Sequence, residues 1–138
     1  MKDLVITITG AIGSAIAYLF GGWDSAMISL IVFMAIDYIT GIIVAGVFKK
    51  SSKTANGGLE SKAGFKGLCR KGAILLFVLV GHLLDVVIDT DYIRNAIIIA
   101  FMANELISIV ENAGLMGVPI PSIITKAIEI LKEKGKEE

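Results

Sequence analysis

The chain has 138 residues, enough for one small domain, and 55% of them are hydrophobic. Thirteen basic and thirteen acidic residues give zero formal net charge, which argues against a general nucleic-acid binder. A single cysteine and a single histidine exclude an intrachain disulfide and the usual zinc or iron–sulfur ligand sets.

Charged residues make up 19% of the chain, against about 25% in an ordinary soluble domain. They cluster at Lys49–Lys71 and Lys126–Glu138 and leave long apolar stretches between. With mean hydropathy of +0.79, the apolar excess needs lipid or a large partner to cover it. The composition therefore predicts an all-α integral membrane protein forming one membrane domain.

A spanning helix needs about 20 apolar residues. Lys2 and the apolar run from Leu4 resemble a secretory leader. Ala17–Ala26, however, lacks a small-x-small cleavage site and a second apolar run follows, so 4–20 is read as a retained span. It is short, and if it lay on the surface three spans would remain instead of four. Gly21, Gly22, Trp23 and Asp24 form a turn, with Trp23 suited to the membrane–water boundary.

The second span is 25–48. A basic loop, 49–69, follows. A third span at 70–88 has Arg70 and Lys71 snorkelling at its start. Asp89, Thr90 and Asp91 make the next turn, and the fourth span is 92–110. Residues 121–134 form a short amphipathic helix, with Ile124, Ile128 and Leu131 on one face and Lys126, Glu129, Lys132 and Glu133 largely off it. Such a helix lies on the membrane or packs on a neighbour.

Lys49–Lys71 holds seven basic residues and one acid, Glu60, whereas the turns at Asp24 and at Asp89–Asp91 contain no Lys or Arg. Excess Lys and Arg stay cytoplasmic. This puts the loop and the C-terminus inside and the acidic turns outside.

Polar groups within the spans are the candidate functional residues. Asp37 lies near the middle of the second span and is read as a pore-lining or triggering group, or as glue between helices. His82 and Asp85, three residues apart, share a helix face. Asp37 is 11 residues from Phe48 and His82 is 11 from Lys71, which places both about 16 Å deep and predicts that they meet. Arg94 is expected to pair with Asp85 or Asp89 near the outer surface. Asn104, Ser108, Glu111 and Asn112, with Glu105 alongside, form a polar stripe that faces a lumen or an interhelix seam. Gly10 and Ser14, Gly13 and Ala17, and Gly41 four after Asp37, provide small surfaces for close helix approach. No catalytic constellation or phosphate-binding loop is recognisable, so neither an enzyme activity nor a cofactor is expected.

Four segments, in order along nearly the whole chain, carry a family resemblance. They are Gly21-Gly22-Trp23-Asp24; Asp37-Tyr38 with Thr40-Gly41; Ser61-Lys62 with Gly64-Phe65-Lys66-Gly67; and Asn104-Glu105, Ser108-Ile109, Glu111-Asn112 followed by Gly117-Val118-Pro119-Ile120-Pro121. In these the chain resembles the toxin-secretion/phage-lysis holin family. Residues 52–60 depart from it by lengthening the basic loop. The resemblance implies a multi-pass protein of the bacterial (host) cytoplasmic membrane that self-associates and opens timed lesions. The lesions release endolysin, a functional partner that need not touch the chain, or a toxin. It supplies no catalytic residues. The competing readings are a small ion-coupled transporter or channel, working through Asp37 or Glu105, and a membrane anchor or adaptor.

Overall fold

The computed structural model of the protein describes residues 1–137. Among the described residues five α-helices follow one another: α1 (Lys2–Phe20), α2 (Ser25–Ile43), α3 (Ser61–Ile88), α4 (Ile93–Leu115) and α5 (Ser122–Glu137). A π-helical segment, Val44–Phe48, continues α2. The first four helices, counting α2 with its extension, have 19, 24, 28 and 23 residues and are apolar enough to cross a membrane. At about 1.5 Å per residue they are roughly 29–42 Å long, against a hydrocarbon core of about 30 Å. This is the multi-pass, all-helical architecture expected from composition.

Local chemistry sets the helix ends. Gly21, at φ 82°, closes α1: its own N–H donates to the Tyr18 carbonyl and that of Gly22 to the Ala17 carbonyl, a Schellman arrangement. A Cβ on Gly21 would stand 2.7 Å from His82 Nδ1, so glycine is required there for space as well as for conformation. The Asp24 carboxylate accepts from the Met27 N–H and caps α2. Asp89 takes the left-handed conformation that ends α3. Asp85, one turn earlier, caps the following helix from a distance. Its carboxylate accepts from the backbone N–H groups of Ile93 and Arg94 and from the Thr90 hydroxyl.

α4 is the central helix, packed against α2, α3 and α5. Its buried residues Arg94, Ile98, Met102, Glu105 and Asn112 recur at helical spacing along one stripe. The middle of that stripe is apolar: Ile98 and Met102 pack with Met27, Leu30 and Met34 of α2 and Val78 of α3. Gly81 is buried where α3 meets α4. A Cβ there would stand 2.7 Å from Ile97 Cδ1 and 3.1 Å from Arg94 Cα, so the two backbones approach closely only because the residue is glycine. α1 is different, since none of its residues is buried and it meets the bundle along α3. Nothing lies within 4 Å of a Cβ built on Gly10 or Gly13.

Two helix boundaries differ from the sequence expectation. α3 begins at Ser61, not near residue 70, so the basic loop is shorter than 49–69. Its first three turns are polar and give no apolar signal. They are helical nonetheless, and α2 holds them: the Tyr38 hydroxyl donates to the Gly64 carbonyl at 3.3 Å, and Gly64 and Gly67 leave room for its ring. α4 runs to Leu115, beyond residue 110, because Asn112 is buried against α2 rather than left in the headgroup region.

Candidate functional site: two buried ionic clusters

The buried stripe of α4 carries an ionic cluster at each end. At the end bearing Asp24, Asp89 and Asp91, the acidic end, Arg94 is 6% exposed and all its guanidinium donors are engaged. Nη1 and Nη2 donate to the two Asp24 carboxylate oxygens at 2.8 and 3.2 Å. Nη1 also donates to the Asn95 side-chain oxygen, Nη2 to the Gly22 carbonyl and Nε to the Phe20 carbonyl. The cation thus ties the α1–α2 turn to the start of α4. Its hydrogen bonds hold the Asp24 carboxyl below the usual carboxylate range, with partial burial opposing and the Met27 N–H adding to the effect.

Towards the end bearing the basic loop, Lys71 of α3 sits between two carboxylates. Its Nζ lies 2.8 Å from Asp37 Oδ2 on α2 and 2.8 Å from Glu105 Oε2 on α4. Asp37 and Glu105 are each 6% exposed. The Asn112 amide donates to Asp37 Oδ1 at 3.0 Å, to the Asp37 carbonyl at 3.2 Å and to the Thr40 hydroxyl at 2.9 Å. Asp37 and Glu105 are each 12 residues from the acidic-end start of their helix, so the cluster lies about 18 Å from that end, within the span. A lone carboxylate in mid-membrane costs about 2.5–3.5 kcal/mol on insertion scales, which explains why these acids are paired. Fully ionised, the three groups carry one net negative charge. They line a cavity of about 430 Å³ with Tyr38, Lys66 and Arg70, walled on one side by residues 51–54 of the basic loop.

Several sequence expectations change here. Asp37 does not meet His82. His82 lies beside Gly21 at the acidic end, because α3 starts earlier than its apolar run and Lys71 therefore falls at the depth of Asp37. Lys71 does not snorkel outward but turns into the bundle, its side chain 14% exposed. The Arg94 guanidinium pairs with Asp24, not with Asp85 or Asp89; Asp85 instead receives the Arg94 backbone N–H. The polar stripe of α4 divides. Glu105 and Asn112 are buried in the seam, Asn104 and Ser108 line the cavity, and Glu111 is exposed away from it. Gly41 packs beside Asn112, at 3.9 Å from a Cβ built there. Gly10, Gly13, Ser14 and Ala17 remain on helix α1, where the Gly13 carbonyl accepts from the Trp23 ring N–H and the Ala17 carbonyl from the Gly22 N–H.

Lys71 is the residue that sequence reasoning overlooked. Charge balance was the available signal: two acids within apolar spans require a cation in reach, and Lys71 is the last base before the third apolar run. The motif segments that looked scattered in sequence converge in space. Asp37, Tyr38, Thr40, Gly41, Gly64, Gly67, Glu105 and Asn112 meet around Lys71, and the Gly21–Asp24 turn meets Arg94.

Comparison with known proteins finds relatives along most of the chain. The profile of the bacteriophage holin family matches residues 14–133. An uncharacterized protein of Listeria innocua, Lin0175, is 38% identical over 127 residues, covering 91% of this chain and 85% of that protein. An uncharacterized 14.9 kDa protein in the nagH 3′ region of Clostridium perfringens is 37% identical over 126 residues, covering 90% and 89%. A probable holin of Bacillus phage phi105 is 32% identical over 123 residues, covering 88% and 84%. No solved structure matches the chain. With the profile spanning most of its length and such relatives matched nearly end to end, the chain belongs to the bacteriophage holin family.

Proposed function

We propose that the protein acts without enzymatic chemistry, by self-associating in the bacterial cytoplasmic membrane and forming timed lesions. Endolysin, or a toxin, leaves the cell through them to reach the cell wall or the medium. One observation supports this reading beyond family membership: α1 is a complete apolar helix with no buried residue, and its small residues Gly10, Gly13, Ser14 and Ala17 leave a surface on which another helix can pack closely. The acids at Asp24, Asp89 and Asp91 face outward from the cell, and the basic loop and the start of α5 lie on the cytoplasmic side.

Induced expression together with an endolysin tests the proposal. Membrane potential should collapse abruptly after a delay, and lysis should follow. Induction that neither depolarises nor lyses the cells would defeat it. A second reading, ion-coupled transport, draws on the Lys71–Asp37–Glu105 cluster and its cavity. It predicts steady ion-dependent flux without collapse, lost in Asp37→Asn.

A further inference from the structure

The tail helix does not lie across the end of the bundle. After the turn at Met116–Pro121, α5 runs back alongside α4. Ile128 is 7% exposed, and Leu131 packs against the apolar core. A Cβ on Gly135 would stand 3.9 Å from Ile99 Cγ2 and 4.0 Å from Ala100 Cα. Ser122 to Gly135 covers about 20 Å and Leu115 to Ala100 about 22 Å, so α5 follows α4 through much of its span.

This position has a consequence for charge. Lys126, Glu129, Lys132, Glu133, Lys134 and Lys136 are all exposed, and Lys126, Glu129 and Glu133 point most directly away from α4, opposite Ile128 and Leu131. Ile123 and Ile130, 68% and 59% exposed, flank that charged row. A charged row at this depth is strongly disfavoured against acyl chains. The docked helix is therefore compatible with a membrane only where its outer face meets water.

We propose that α5, docked on α4, lines the aqueous path of the assembled lesion, with Lys126, Glu129 and Glu133 facing the water. The inference rests on the lesion-forming reading and adds the identity of a water-facing helix. The polar residues of α4 then serve mainly as a seam inside each copy, and α5 supplies the wetted surface. The alternative, in which α5 leaves α4 to lie on the membrane surface, requires the Gly135–Ala100 contact to break.

The test uses the full chain in dye-loaded liposomes, with Cys69→Ser, Ala100→Cys and Gly135→Cys, so that oxidation locks α5 to α4. The locked protein should release dye within about twofold of its reduced form. Adding Glu129→Lys and Glu133→Lys should raise the release of an anionic dye relative to a cationic dye of matched size several-fold, read at the lowest protein-to-lipid ratio that leaks. Silence of the locked protein with recovery on reduction overturns the proposal in favour of undocking. An unchanged dye ratio also overturns it, since the charged face then lies off the path. Dye retention by the unmodified chain would instead defeat the lesion-forming reading itself, and the lumen with it.

Discussion

The two ionic clusters on the central helix solve the same problem differently. Arg94 meets one carboxylate and a set of backbone carbonyls, and its partner Asp24, with 49% of its side chain exposed, keeps contact with water. Lys71 meets two carboxylates, both in side chains only 7% exposed. The first cluster is balanced in charge and ties a turn to a helix end. The second holds one acid more than its base can neutralise, within the span and beside a cavity. A buried ion pair is weak evidence of net stability, but removing one partner is costly because the other is stranded. The difference marks the Arg94 cluster as a structural clamp and the Lys71 cluster as the more sensitive of the two.

Substitutions can break that comparison. Lys71→Met strands both Asp37 and Glu105 and should show the largest effect, about 3–5 kcal/mol of lost stability, read as unfolding in detergent. Adding Asp37→Asn and Glu105→Gln to it should recover most of the loss, because the stranded charges are then gone. Arg94→Ala should cost less, about 1–3 kcal/mol, since Asp24 can rehydrate. Similar losses for Lys71→Met and Arg94→Ala would erase the distinction. Asn112→Ala removes three hydrogen bonds to α2 and should cost about 0.6–1.7 kcal/mol, the range for such bonds between membrane helices.

The smallest effect concerns acid. Arg94 lowers the pKa of Asp24, so the stabilisation is complete above the unfolded carboxyl value of about 3.9 and is lost as pH falls through the lower folded value. Melting curves between pH 7 and 5 should therefore show no pH dependence from this pair, whose contribution is complete throughout that range. Below about pH 4 the wild type should lose stability that Asp24→Asn, lacking the titrating group, does not lose over that range. A pair that weakened already at pH 6 would point to a different acid.

The sequence made the spans legible because lipid demands long apolar runs, and the Gly21–Asp24 turn was legible because its residues have strong conformational preferences. Helix ends outside the lipid carry no such signal, so Ser61–Lys71 read as loop although it forms the first turns of α3. That boundary controlled the site: measuring depth from residue 71 brought His82 to Asp37, whereas the real register brings Lys71 there. The amphipathic face of α5 was readable from its spacing, but not the surface of α4 that it covers, which depends on the turn at Met116–Pro121.

In the proposed lesion-forming role, the chain opens a passage for folded protein rather than for ions alone. The most direct test of that role is the escape of a cytoplasmic reporter enzyme from cells expressing the chain, with the wall already made permeable so that only the inner membrane retains the reporter. The folded enzyme should be released suddenly, at the moment the membrane potential falls. Loss of potential or small solutes, with the enzyme retained inside intact membranes, would contradict that role.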